Sequence, residues 1–424
     1  MLLKRIILLL FLIFGIIILN VLYNRSSQDH IVDYKEVAPY IHTINSLDIN
    51  DNDFSDLVFL DTIIGNKHIV FLGEQTHSDG TTFQAKSRLI RYLHEKHKFN
   101  VILYEAGLYD MWLMNRTAHL QSNEEAQFDP GMGLYSFWWD NEDCLPLWKY
   151  YNKTLQSNRP IILGGFDLQL TGHYYSREDR AKDIKEILSR KQIHLAEYPS
   201  FNSAIEQLSL TYLWEYKRFP QAKFDSIQTD LNKILALLQN PTTEKENIYY
   251  RYIKGIRDYG QLMWDYNPGD IPRMNVRDSL MAENLMWQID SLYTNQKVIV
   301  WLANLHLFKV PLTNDGVTFI PLGKYIKDKY SDSSYLMAFT SYALTNPNSK
   351  GIHSEAGINA LEYMLYSKKY KYVYLHMNEI NADSFLKKEY FSVINQRMNE
   401  KRDWNSLIDG LFYIDLVSTI NKED

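Results

Sequence analysis

The sequence predicts an α/β protein with a mostly parallel central sheet flanked by helices. It also predicts a helical insertion and an N-terminal membrane anchor. Short continuous apolar runs are typical of parallel strands that are covered on both faces. Such runs occur at residues 69–72, 101–104, 161–164, 298–302, 335–340, 371–375 and 411–415. Helical patterns such as 82–97 and 277–293 separate the runs, and this alternation indicates strand–helix–strand units.

The first 23 residues are predicted to form a transmembrane anchor. Lys4 and Arg5 precede an apolar run from Ile6 to Leu22, whose length is at the short end of what spans a bilayer. No small-residue cleavage site follows this run, so we expect it to remain attached. Because basic residues stay on the cytoplasmic side, a single-pass protein of this kind would place its folded part in the periplasm or outside the cell.

The rest of the chain is predicted to form one catalytic domain. Residues 24–60 are mostly polar and are expected to be a tether with a short helix, followed by the domain at 61–424. Within the domain, the strand signal disappears between about 177 and 296. Helical patterns broken by proline replace it there, which predicts a helical insertion.

Composition and charge exclude several classes of function. The formal net charge is −6 and no basic run follows the first few residues, so nucleic acid is not an expected partner. Cys144 is the single cysteine, which rules out an intramolecular disulfide and a cysteine-based metal site. Its acidic neighbours Glu142 and Asp143 would raise a thiol pKa, so a nucleophilic role is not expected.

Each of the four central strand candidates is followed by polar side chains. In chain order these are Glu74 with His77, Glu105, Asp167, and Asn304 with His306. The carboxyl ends of parallel strands meet at one edge, where α/β sheets bind their ligands, so we expect these groups to share a cleft. Such a cluster can activate water by general-base catalysis or hold a divalent metal. A carboxylate in this position can also be only a helix N-cap.

Six segments in the same order resemble the erythromycin esterase family, over roughly residues 66 to 417. The first, Leu72 to His77, is similar to the family motif Gly-Glu-x-Ser/Thr-His. The others are Phe99 to Glu105, Trp138 to Asn152, Gly165 to Gln169, Arg277 to Asn284, and Trp301 to His306. Each segment is weak alone, and their common order indicates shared ancestry.

The resemblance implies hydrolysis of an ester or lactone in a small-molecule substrate, the family being best known for macrolide lactones. His77 would be the general base, Glu74 would orient it, and Glu105 and His306 would complete the pocket. The residues expected to bind substrate are Lys86, Asp167, Arg277 and Asn304. No cofactor is expected, although a divalent metal held by the same histidines and glutamates remains an alternative. A binding protein that kept the fold without catalysis is another.

Two positions depart from the family pattern. Thr81 stands where a glutamate is common, and Lys86 stands where an arginine is common. Helical spacing places Lys86 on one face with Phe83 and Ile90, so its ammonium should point inward and pair with a carboxylate. We therefore expect Lys86→Met to impair catalysis more than stability.

Overall fold

The computed structural model describes residues 32–120, 129–172, 177–209, 219–346, 349–380 and 384–421. The predicted anchor, residues 1–23, lies outside these ranges. Within them, no helix is both long and apolar enough to cross a membrane. The strands in chain order are β1 Ile41–Thr43, β2 Ile69–Leu72, β3 Phe99–Gly107, β4 Ile162–Asp167, β5 Lys297–Trp301, β6 Leu312–Asn314, β7 Val317–Phe319, β8 Ser334–Asn346, β9 Ser349–Glu355, β10 Tyr372–His376, β11 Tyr390–Ser392, β12 Glu400–Arg402 and β13 Gly410–Ser418.

A nine-stranded sheet forms the centre of the described structure. Its order is β1-β10-β13-β8-β2-β5-β3-β4, and β9 pairs with β8 outside this path. The neighbours from β13 to β4 are all parallel, whereas β10 runs antiparallel to β1 and β13. The predicted α/β class with a large central sheet is therefore confirmed. All seven predicted strands are present, as β2, β3, β4, β5, β8, β10 and β13.

Helices cover both faces of this sheet, and those between residues 177 and 265 pack mainly on one another. In chain order they are α1 Tyr34–Val37, α2 Phe59–Ile64, α3 Gly80–His97, α4 Leu108–Leu120, α5 Leu145–Leu155, α6 Arg177–Arg190, α7 Pro199–Asn202, α8 Ile205–Leu208, α9 Gln221–Leu238, α10 Glu244–Asp265, α11 Ile271–Trp287, α12 Asn304–Leu307, α13 Leu322–Tyr330, α14 Leu361–Ser367 and α15 Trp404–Leu407. Strand β2 shows why its run is uniformly apolar. Ile69 and Phe71 enter one core, while Val70 and Leu72 enter the core on the opposite face.

The segment predicted as an insertion contains helices α6 to α11. Their apolar faces form a third cluster with residues from α4 and from the end of β4, including Ile184, Leu231 and Ile253. Helix α11 continues as a π-helical turn over Gln288–Leu292 and leads directly into β5. This connection places α11 beside the carboxyl edge of the sheet, where its polar face contributes to the site described below.

Residues 32–60 differ from the expected tether. Strand β1 adds to the sheet edge by pairing with β10, and Val37, Ile44 and Leu57 are buried in the two main cores. A short helix was expected in this part of the chain, and instead a helical turn at Tyr34–Val37 leads into the strand Ile41–Thr43. The difference arises because an edge strand satisfies its backbone through a partner that lies more than 300 residues later in the chain.

Candidate active site

The register of four neighbouring strands brings their carboxyl ends to one level. Leu72 of β2 and Tyr104 of β3 both lie opposite Trp301 of β5, and Tyr104 also lies opposite Gly165 of β4. Gly73 then allows the chain to turn against β5, because a Cβ at this position would lie 2.1 Å from the Asn304 Oδ1 atom. The polar residues that follow these strands therefore converge at one edge of the sheet.

Glu74 is the centre of the first polar group. Its side chain is fully buried, at 0% exposure, and each of its two carboxylate oxygens accepts two hydrogen bonds. Oε1 accepts from His77 Nδ1 at 2.8 Å and from the Trp138 indole at 3.2 Å. Oε2 accepts from Lys86 Nζ at 2.6 Å and from the Trp301 indole at 2.7 Å. Four donors from four elements fix the orientation of this carboxylate.

His77 is the open end of this group, with 39% of its side chain exposed. Its ring stacks on Phe137 with 5.0 Å between centroids, and it meets Trp138 edge-on at 5.4 Å. Nδ1 is bonded to Glu74, and Nε2 makes no hydrogen bond to any residue in the described ranges. Burial lowers the pKa of His77, but the hydrogen bond that His77 donates to Glu74 and the charge of Glu105 outweigh it, so the pKa is raised above its ordinary value.

Lys86 lies on α3, behind Glu74. Its side chain is completely buried, and its ammonium is 4.2 Å from the centroid of the Trp301 ring. Burial lowers the pKa of Lys86 to about 8, although the Glu74 carboxylate opposes this shift. Lys86 points inward, as its helical spacing predicted, and the carboxylate that it pairs with is that of Glu74. The ammonium contacts the Glu74 oxygen that His77 does not use, so it is placed to hold Glu74 rather than to meet the open side.

A second polar group surrounds His306 on α12. Its Nδ1 lies 2.8 Å from Asp278 Oδ1, and its Nε2 lies 3.3 Å from Glu105 Oε1. Burial lowers the pKa of His306, but the charges of Asp278 and Glu105 raise it above the ordinary value overall. Burial likewise raises the pKa of Glu105, yet His306, His77 and Arg277 outweigh that effect and lower it to about 2. Glu105 is therefore an anion at any physiological pH.

Arg277 on α11 joins Glu105 to Asp167. Its Nη2 donates to Glu105 Oε1 at 3.1 Å and also to Asp167 Oδ2, while its Nε donates to Asp167 Oδ1 at 3.3 Å. Burial lowers the pKa of Arg277, but the two carboxylates raise it well above its usual range. Its Nη1 makes no hydrogen bond within the described ranges. Gln169 extends the network, because it donates to Asp167 and accepts from the Tyr135 hydroxyl at 2.9 Å.

The structure thus brings together most of the residues that the sequence singled out. Glu74, His77, Glu105 and His306 lie at the same edge, and Arg277 and Asp167 bridge the second group. Asn304 is different, because its side-chain amide forms hydrogen bonds with backbone groups. It donates to Phe339 O at 2.7 Å and to Ile394 O at 2.8 Å, and it accepts from Phe339 N at 3.2 Å. Substrate binding by these residues stays a prediction.

Sequence reasoning missed three partners in the site. Asp278 holds His306, and the indoles of Trp138 and Trp301 hold Glu74. All three belong to segments that carry the family resemblance, so their membership in these segments could have indicated that they take part in the site. Among the described residues, no group of three or more histidine, cysteine, aspartate or glutamate side chains is arranged to hold a metal ion. The Cys144 thiol is fully buried, which raises its pKa.

Comparisons with known proteins point to one family. Erythromycin esterase type II from Escherichia coli is 25% identical over 317 residues, which cover 69% of this chain and 73% of that protein. Erythromycin esterase type I from Escherichia coli is 26% identical over 329 residues, covering 70% and 75% respectively. A solved structure of a mutant of the erythromycin esterase EreC in its open conformation has a similar fold. Its TM-score is 0.70 at 17% identity, covering 90% of this chain and 98% of that one. The family profile described as erythromycin esterase matches residues 94–405, which is most of the chain, and the chain therefore belongs to the erythromycin esterase family of hydrolases.

Proposed function

We propose that this protein hydrolyses an ester or a lactone with water activated by His77. The observation that carries the proposal is the 2.8 Å hydrogen bond between His77 Nδ1 and a buried Glu74 carboxylate. This bond favours the tautomer with the proton on Nδ1, which leaves Nε2 free to accept a proton from water. The His77 side chain is 39% exposed and its Nε2 has no hydrogen-bond partner among the described residues, which supports access of a water molecule to this nitrogen.

The surrounding charges suit a base that becomes positive during the reaction. When His77 takes a proton from water, the imidazolium is stabilised by Glu74 and by the charge of Glu105. Glu105, with its pKa near 2, cannot itself act as a base or acid at neutral pH, so its role is electrostatic. Arg277 is the candidate donor for the negative oxygen of the tetrahedral intermediate, because its Nη1 is not used by the carboxylates that hold the rest of the guanidinium.

Turnover of a panel of p-nitrophenyl esters and lactones by the full-length protein in detergent tests this proposal. We expect His77→Ala to reduce kcat by about 10²–10⁴-fold, the usual contribution of a general base. His97→Ala is the matched control, since His97 also lies 2.8 Å from a carboxylate, that of Asp61, away from this site. Full activity in the His77 variant would contradict the assignment. Loss of activity in the wild-type protein on adding a chelator would show that a metal takes part.

We also propose that Ile6–Leu22 anchors the protein in a membrane, with the hydrolase domain outside the cytoplasm. The support is the sequence pattern alone, in which Lys4 and Arg5 precede the apolar run. We expect the protein to stay in the membrane fraction and to keep its N-terminus. Mass spectrometry of a purified chain that begins near residues 24–30 would instead demonstrate a cleaved signal.

A further inference from the structure

The segment 393–397 lies across the carboxyl ends of β2 and β5. Gln75, which follows Glu74, donates from Nε2 to Val393 O at 2.6 Å. Asn304 donates to Ile394 O at 2.8 Å. Two side chains from the edge that carries the site therefore donate hydrogen bonds to the backbone of a segment that lies 318 and 90 residues later in the chain. This arrangement brings Arg397 beside the loop that carries Glu74 and His77.

Arg397 contacts that loop through two partners. Its Nη2 donates to Asp79 Oδ1 at 3.1 Å, and its Nη1 donates to the Ser341 hydroxyl at 2.7 Å. The Ser341 hydroxyl in turn donates to Gln75 Oε1 at 3.0 Å. Only 8% of the Arg397 side chain is exposed, and Asp79 is completely buried. The guanidinium is therefore bonded directly to Asp79, at the end of the loop. Through Ser341 it is also linked to Gln75, near the beginning of the loop.

Asp79 connects Arg397 to Thr76, the residue before His77. Its Oδ1 accepts from the Thr76 hydroxyl at 2.7 Å, and its Oδ2 accepts from the Thr76 backbone N–H at 3.2 Å. The far end of the loop is also held by the backbone, because Ile420 N donates to Ser78 O at 2.9 Å. The position of Thr76, however, depends on the Asp79 carboxylate, and that carboxylate is oriented by Arg397.

The turn that presents Arg397 has an unusual backbone. Gln396 and Arg397 have φ of 47° and 60°, and the turn is closed by a hydrogen bond of 2.9 Å from Met398 N to Asn395 O. Two consecutive positive φ angles define a type I′ turn, in which glycine, asparagine and aspartate are preferred. Side chains such as those of glutamine and arginine persist in this conformation only where their surroundings hold them. The contacts of Arg397 supply that constraint.

We propose that Arg397 is a positioning residue for catalysis, which holds the loop from Glu74 to Asp79 so that the His77 ring stays in contact with Glu74. This inference rests on the proposed role of His77 as the base. The remaining support of the His77 ring is the stack on Phe137, the edge-on contact with Trp138 and the single hydrogen bond to Glu74. A shift of the loop backbone would therefore be transferred directly to the ring.

The test measures His77 itself, so it does not depend on finding a substrate. The charged and titratable groups that face His77 are Glu74, Glu105 and His306. The fraction of neutral His77 is followed by its rate of modification with diethyl pyrocarbonate over a range of pH, with the modified peptide identified by mass spectrometry. In Arg397→Met we expect the pKa of His77 to fall, because its hydrogen bond to Glu74 is weakened. We expect kcat on a p-nitrophenyl ester to fall about 10²-fold, with a smaller change in KM.

The control is Arg402→Met, which breaks an Arg–Glu pair of 2.7 Å with Glu400 in the same part of the chain and should leave the pKa of His77 and kcat unchanged. Arg397→Lys should recover part of the effect, since an ammonium keeps the charge without the fork that reaches two partners. A wild-type pKa of His77 in Arg397→Met would overturn the proposal. If that variant does not fold, Asp79→Asn, which keeps the shape and removes the charge, gives the same decision. Absence of ester hydrolysis by the wild-type protein would refute the proposed function and leave the titration interpretable.

Discussion

Replacing Lys86 with methionine leaves the Glu74 carboxylate buried without the ammonium that contacts it. The Nζ and Oε2 atoms are 2.6 Å apart, and both side chains have 0% exposure. Breaking such a pair costs about 3–5 kcal/mol, because the remaining charge stays in a low-dielectric interior. From the sequence we expect catalysis to suffer more than stability. The complete burial of both partners changes that expectation, and we now expect a large loss in both.

Equilibrium unfolding in urea measures this loss. The control is Lys324→Met, which breaks a pair with Asp328 whose side chains are 32% and 60% exposed, and which should cost about 1 kcal/mol or less. Adding Glu74→Gln to the Lys86→Met variant should restore part of the stability, because the uncompensated charge is then removed. A free energy of unfolding within about 1 kcal/mol of wild type for Lys86→Met would refute the reasoning.

The pKa of Lys86, which burial lowers to about 8 from 10.5, gives a separate prediction for the pH dependence of activity. Above pH 8 the ammonium loses its proton, so we expect activity to fall on the alkaline side, and Lys86→Arg to remove this limb because a guanidinium stays charged. An alkaline limb that persists in Lys86→Arg would assign it to another group.

Two further variants test the second polar group and the role of Asn304. In Glu105→Gln the pKa of His77 should fall, because the charge that helps to raise it is gone. The acid limb of the pH–rate profile should therefore move to lower pH. An unmoved limb would show that the charge of Glu105 does not affect His77. In Asn304→Ala the backbone groups of Phe339 and Ile394 lose their partner, so we expect a loss of about 1–3 kcal/mol for each buried group left unsatisfied, with KM unchanged. A raised KM at unchanged stability would instead support a contact with substrate.

Apolar runs in the sequence were enough to predict the strands of the sheet and the edge at which these polar residues meet. The seven apolar runs became strands because each is buried on both faces, as in β2, where all four residues are covered. The strand ends could be compared because parallel strands share one edge. The helical spacing of Lys86 was sufficient to predict that its side chain points inward, since only one face of α3 can pack against the sheet.

Other partners of the site could not be predicted in this way. The indole of Trp301 reaches Glu74 across 227 positions of the chain, and Arg397 reaches Asp79 across 318. Contacts of this kind depend on the order of strands in the sheet and on loop conformation, neither of which leaves a local pattern. The strand at Ile41–Thr43 was missed for the same reason, because its pairing with β10 is decided at the opposite end of the chain.

The order of strands in the sheet also bears on how this chain is synthesised. Strand β2 is paired on its two sides by β5 and β8, which begin only at Lys297 and Ser334. At typical rates of translation the ribosome needs roughly ten to fifty seconds to travel from β2 to β5. During that time an apolar strand has both edges unpaired, a state that favours aggregation. The loop that carries Glu74 and His77 is therefore translated early, but it can reach its final position only after β5 and β8 have been synthesised.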